Sequence, residues 1–152
     1  MPILLALSLA VATRVAAVQP SPGADRAAAM AIVNAALAGV SARNEAAVLA
    51  QLRPTGTATV LMEQADGSVT VRSFDLKAYA HAVPGPERYE ERMLDPRIEI
   101  DDAMATVRGR YTFATDGKLQ HCGFEHFELV RDGGRWKIQN ITWSVRTKNC
   151  SG

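Results

Sequence analysis

Three runs decide the fold: Ala103–Thr115 (AMATVRGRYTFAT), Gln120–Arg131 (QHCGFEHFELVR) and Arg135–Arg146 (RWKIQNITWSVR). Each is rich in β-branched and aromatic residues, and tight-turn signals separate them at Thr115-Asp116-Gly117-Lys118 and Asp132-Gly133-Gly134-Arg135. Asp-Gly and Gly-Gly suit hairpins because the favoured short turns need positive φ. The stretch predicts a three-stranded antiparallel meander.

Register follows from the pairing that keeps apolar side chains together. With Gly133-Gly134 as a two-residue turn, Leu129 faces Ile138, Arg131 faces Trp136 and Phe127 faces Asn140. A slip by one would set Glu128 against Ile138. On the preceding hairpin Ala105 lies by Leu129, Val107 by Phe127, Gly109 by Glu125 and Tyr111 by Gly123. One face then holds Val107, Tyr111, Phe113, Phe127, Leu129, Trp136 and Ile138, and is expected to be concave and helix-covered. The opposite face holds Phe124, Val130, Ile141, Trp143 and Val145 among His126, Glu128, Lys137 and Gln139.

Working upstream, Gln19 to Gly23 reads as a Pro/Gly/Ser linker. Asp25 is placed to cap a helix to about Ala42, with Met30, Val33, Leu37 and Val40 at helical spacing. Asn44 caps a second, short helix from Glu45 to Leu52, which Pro54 and Gly56 end. Thr57 to Glu63 and Ser68 to Phe74 are strands joined at Ala65-Asp66-Gly67. Asp75 caps a short helix to about Ala82, stopped by Pro84. Tyr89 to Leu94 and Arg97 to Ile100 are two further extended pieces. Helices first and a meander last is an α+β layout: a long helix and short helices packed on a strongly curved, mostly antiparallel sheet.

That order of elements, ending in Gly134-Arg135-Trp136-Lys137-Ile138, resembles the nuclear-transport-factor-2-like superfamily, which includes the SnoaL-like and ketosteroid isomerase-like cone folds. Tyr111-Thr112-Phe113, Asp116-Gly117-Lys118 and His121-Cys122-Gly123 look like a group of its exported bacterial members. The likeness covers about Asp25 to Cys150. It implies a cone with a pocket, and it leaves function open, because the superfamily hosts isomerases, cyclases, dehydratases and non-catalytic domains. Superfamily members commonly dimerise through the outer sheet face. An uncovered apolar patch of that size is rare on a monomer, so a homodimer through Phe124, Ile141 and Trp143 is expected.

In this register the concave face carries a polar island of Glu125, Asn140, Thr142 and Tyr111, with His121 at its edge. A carboxylate among aromatics has a raised pKa and could act as general base, with Tyr111 or Asn140 donating to an oxyanion. Glu125 is therefore the candidate catalytic residue, and Tyr111, Asn140, Thr142 and His121 the candidate ligand-binding residues. Ketosteroid isomerase uses such a carboxylate-plus-donor arrangement, although its motif is not matched here residue by residue. Three functions follow: binding of a small apolar molecule, proton-transfer catalysis through Glu125, or a structural or interaction module with a filled interior.

The 152 residues fit one domain, residues 24–150, preceded by a leader and the linker at 18–23. Ile3 to Thr13 is an apolar run of signal-peptide length and too short to span a bilayer, and Val15-Ala16-Ala17 offers small residues before a cleavage after Ala17. The n-region carries no Lys or Arg. The expectation is a periplasmic or secreted protein with no membrane attachment after cleavage. With 17 Lys+Arg against 16 Asp+Glu and no basic block, nucleic acid is not an expected partner.

Export would permit Cys122 and Cys150 to pair. Geometry opposes this: with Cys122 opposite Val145, Cys150 lies about 16 Å further along at about 3.3 Å per residue, against a Cα limit near 7 Å. Pairing needs Thr147 to Asn149 to fold back, and the sequence leaves it open. His121, Cys122, Glu125 and His126 suggest a metal cluster, but strand positions five apart face opposite ways, so no metal is expected there. No cofactor motif is present. Glu87 to Arg92 and Asp101-Asp102 read as solvated edges, Arg108 and Arg110 as outward guards, and Trp136 and Trp143 as packing residues.

Overall fold

A computed structural model describes residues 21–150. The expected signal peptide, its cleavage after Ala17 and most of the linker lie outside the described residues.

Helix α1 spans Pro22–Ser41. It starts earlier than Asp25, because Ser21 caps it through Ala24 N–H and Pro22 occupies the first turn, where its missing N–H costs nothing. Asp25 is thus a first-turn residue with another task. Its carboxylate accepts from Arg131 Nη2 at 2.5 and 2.6 Å and from Trp136 Nε1 at 2.9 Å. These bonds pin the helix start to the last hairpin and hold the Asp25 carboxyl below its usual range. Ala29, Val33, Ala36, Leu37 and Val40 recur at helical spacing and are buried against the sheet.

Helix α2, Glu45–Leu49, is capped by Asn44, and α3, Leu76–His81, by Asp75. The strands are β1 (Leu52–Glu63), β2 (Val69–Asp75), β3 (Tyr89–Asp101), β4 (Met104–Thr115), β5 (Lys118–Asp132) and β6 (Arg135–Val145). They form one curved, unclosed six-stranded sheet in the order β2-β1-β6-β5-β4-β3, antiparallel except for β1 beside β6. The two extended pieces expected at 89–100 are one strand. Asp95, at φ 49°, precedes Pro96, and pairing with β4 shifts between Leu94 and Arg97, so the strand is bulged and not ended.

Four expected β4–β5 pairs hold, from Ala105↔Leu129 to Tyr111↔Gly123, and so do Leu129↔Ile138 and Arg131↔Trp136. The turn glycines have φ of 56° and 79° at Gly133 and Gly134, as the two-residue hairpin requires. One pair differs. Leu129 meets Ile138 but Glu128 meets Asn140, so Gln139 is an extra residue and Phe127 lies opposite Ile141, not Asn140. With a side-chain period of two, that bulge turns the rest of β6 over.

Two expectations change as a result. Ile141 becomes a core residue, 2% exposed, and Trp143 packs edge-on to Phe74 and Tyr79 on the inner side. Of the three residues expected to carry a dimer face, Phe124 alone is a large exposed apolar side chain, at 45%. The same shift sets Cys122 opposite Arg146 instead of Val145. Asn149 turns the chain back at φ 56°, bringing the Cα atoms of Cys122 and Cys150 to 5.5 Å and the sulfurs into a disulfide.

Candidate functional site

The helix-covered face is sealed at one end and open at the other. Val33, Leu37, Val107, Phe127, Leu129 and Ile138 fill the sealed end. At the open end lies a cavity of about 230 Å³. Its walls come from Val40 on α1, Phe74 on β2, Tyr79 on α3, Tyr89 and Glu91 on β3, Phe113 on β4, His121 and Glu125 on β5, and Ile141 and Trp143 on β6. Ala82, just after α3, lines the cavity and is exposed, which places it at the rim.

Glu125 is the buried charged residue of the described chain, at 3% exposure. It faces inward because strand parity puts it with Phe127 and Leu129, and its β4 neighbour is Gly109. No hydrogen-bond donor reaches its Oε2. Glu91, partly buried on β3, lines the same cavity, and its carboxylate opposes ionisation of Glu125. Burial foremost, then the charge of Glu91, push the Glu125 carboxyl well above its ordinary value. Burial also raises Glu91. Glu91 was expected at a solvated edge. It is instead half of a buried acid pair, because it shares parity with Tyr89 and Met93, and its cross-strand neighbour is Phe113.

Tyr111 and His121 form a second polar pair. The Tyr111 hydroxyl donates to the Ser144 carbonyl at 2.9 Å and lies 3.1 Å from His121 Nδ1. A carbonyl can only accept, so the hydroxyl proton goes to Ser144 and Nδ1 must carry hydrogen to donate in turn. His121 is thereby held as the Nδ1–H tautomer, and its other ring nitrogen is an acceptor. Its ring stacks on Phe113 with centroids 4.7 Å apart, and burial lowers its pKa. Gly123 makes this geometry possible: a Cβ there would lie 1.9 Å from Ser144 O and 2.8 Å from the Tyr111 ring. Burial pushes the Tyr111 hydroxyl up, so it stays neutral.

Of the five residues singled out from the sequence, Glu125 and His121 line the cavity, and Tyr111 orients His121 from behind. Asn140 and Thr142 are not brought to it. The Gln139 bulge places Asn140 where Nδ2 donates to Glu128 at 2.7 Å and Oδ1 accepts from Thr57 N–H at 3.1 Å. The second bond bridges the irregular stretch between β1 and β6. Sequence reasoning missed Glu91, Phe74, Tyr79, Tyr89 and the inward turn of Trp143. Chemically, the cavity offers an apolar, largely aromatic wall, two carboxyls with raised pKa and one neutral imidazole acceptor.

The sequence matches no protein-family model and no curated protein. Solved structures match closely in shape. A nuclear-transport-factor-2-like protein of unknown function from Shewanella baltica has a TM-score of 0.62 at 11% identity, over 84% of this chain and 98% of that one. A candidate dehydratase of the same family from Streptomyces avermitilis has 0.63 at 14%, over 83% and 99%. The beta subunit of a candidate aromatic-ring-hydroxylating dioxygenase from Novosphingobium aromaticivorans has 0.67 at 11%, over 85% and 94%. Likeness at this level of identity speaks to architecture, and the architecture is unambiguous: this chain has the nuclear-transport-factor-2-like cone fold.

Proposed function

We propose that the chain is an exported small-molecule-binding domain whose ligand, mainly apolar, occupies the cavity with one polar group against Glu125. The observation that carries this reading is the cavity itself: about 230 Å³ bounded by five aromatic side chains, with a carboxyl pair at its polar end. Concave, mostly apolar sites with few converging polar groups are the usual form of ligand pockets. A side-chain-filled interaction module would not leave this space. Export is supported by the apolar leader and by the disulfide, a bond that belongs to oxidising compartments. Homodimerisation through the outer face rests on Phe124, and sedimentation at micromolar protein tests it.

The test is native mass spectrometry of protein recovered from its own host, beside Ala82→Trp, which fills the rim without touching the core. Bound mass in the wild type that the variant lacks is the expected result. Equal spectra from a folded variant would count against a cavity ligand.

A second reading, proton-transfer catalysis by an isomerase, cyclase or dehydratase, is favoured by one observation, the two carboxyls of Glu91 and Glu125 side by side in the cavity wall. A carboxyl pair with raised pKa can donate and recover a proton near neutral pH. Under this reading Glu125→Gln abolishes turnover while ligand still binds, and unchanged turnover excludes Glu125 as the base.

A further inference from the structure

The polar end of the cavity has acids without a matching base. Glu91 and Glu125 line it, and no lysine or arginine is among its lining residues. Two donors close by are already committed. Tyr111 gives its proton to Ser144, and Asn140 gives its amide to Glu128. Arg43 stacks on the Tyr89 ring, 3.5 Å from its centroid, and pairs with Glu87 at 3.3 Å; its Nε and Nη1 are buried without an acceptor, but it is not among the residues that line the cavity. Glu125 Oε2 is left with no donor although the residue is 97% buried by its 3% exposure. A buried carboxyl oxygen without a donor is costly unless something arriving from outside supplies one.

The walls are equally specific. Trp143 meets Phe74 at 6.1 Å and Tyr79 at 5.7 Å, and Tyr89 meets Phe113 at 4.8 Å, all in edge-to-face arrangements. Rings that pack edge-on to one another offer faces as well as edges to their surroundings, and aromatic faces attract cations. We infer that the cavity takes a small organic cation, a protonated amine, with its charged head at Glu125 and Glu91 and its apolar body among the rings. The inference rests on the small-molecule reading above and names the class of that ligand. A neutral carbonyl ligand would accept one proton and leave the remaining carboxyl oxygens unmet. An ammonium brings up to three donors to them, and a positive charge that no residue lining the cavity provides.

Protons should move on binding. Burial raises both carboxyls of the pair and the charge of Glu91 raises Glu125 further; the other titratable groups around it, Tyr79 on α3, Tyr111 on β4 and His121 on β5, are all shifted toward their neutral forms by burial. A cation beside the pair favours the ionised form, so binding releases a proton and tightens as pH rises, until the amine itself deprotonates.

Calorimetry on the full-length protein tests this with benzylammonium against benzyltrimethylammonium, a cation without N–H donors, and against benzyl alcohol and benzaldehyde, in buffers of different ionisation enthalpy. Benzylammonium should bind at least about tenfold more tightly than the other three probes, with proton release, and Glu125→Gln or Glu91→Gln should each erase the preference. Any of the other three probes binding as tightly as benzylammonium, with Ala82→Trp blocking it, would overturn the protonated amine and leave the cavity reading standing. If no probe binds and native spectra of wild type and Ala82→Trp agree, both readings fall.

Discussion

The two ends of the concave face share strands β4, β5 and β6 and behave as opposites. At the sealed end Phe127, Leu129 and Ile138 are at most 1% exposed and pack against Val33 and Leu37 of the long helix. A turn or two along the same strands, the inward positions are Gly109, Gly123 and Glu125, and the chain leaves an aromatic-walled space. The difference teaches that the cavity is not made by a loop or an insertion. Gly123 lets the Tyr111 ring lie against the strand, a one-residue bulge at Gln139 swings Trp143 inward, and a carboxyl pair stands where the core would otherwise continue.

The contrast is most exposed to attack through stability. Phe127→Ala should cost about 3–5 kcal/mol in urea unfolding, as removal of a fully buried aromatic does, whereas Phe74→Ala at the cavity wall should cost less than half of that. Equal losses would erase the distinction between the ends. Next in size is the strap behind the open end. Replacing Cys122 and Cys150 by serine, which frees a loop of 28 residues, should cost about 3–4 kcal/mol and disturb the Ser144–Tyr111–His121 chain beside it. An unchanged midpoint would show that the strap does not hold the open end.

The acid pair gives a pH-dependent difference between the ends. Glu125 has a folded pKa raised above its unfolded value, so its neutral form is favoured in the folded chain. Its contribution is fully present below the unfolded pKa of about 4.3 and is lost as pH rises through the folded value. Wild type should therefore lose stability relative to Glu125→Gln as pH climbs from acid to mildly alkaline. Parallel profiles would mean the carboxyl is not held neutral. Asp25 has the opposite sign: its contribution is present above its unfolded pKa and is lost as pH falls through the lowered folded value. The smallest effect belongs to Asn140→Ala, about 1 kcal/mol for its lost hydrogen bonds, with cavity affinity unchanged. Lost affinity would return Asn140 to the site.

The cone was legible because hairpin turns and apolar alternation are local signals, and the β4–β5 register followed from them directly. The site was legible only as far as parity could be trusted. Glu125 and His121 lie on the cavity face, as the register predicts, because no bulge separates them from Phe127 and Leu129 on β5. Beyond Gln139 the parity argument failed, since neither Gln139 nor Asn140 is a glycine or a turn residue that would mark a bulge. A signal existed in the apolar phase itself: Trp136 and Ile138 fall on even positions, Ile141, Trp143 and Val145 on odd ones. Glu91 was hidden differently. Charged neighbours on both sides made it read as solvated, while its same-face companions Tyr89 and Met93 pointed inward.

The central claim is that Glu91 and Glu125 form one coupled, buried acid pair in a real cavity. Carbon-13 NMR titration of the two side-chain carboxyls tests it most directly. At least one should hold its proton well above the ordinary glutamate value of about 4.3, and Glu91→Gln should move the Glu125 titration down. Two independent titrations near that ordinary value would contradict it.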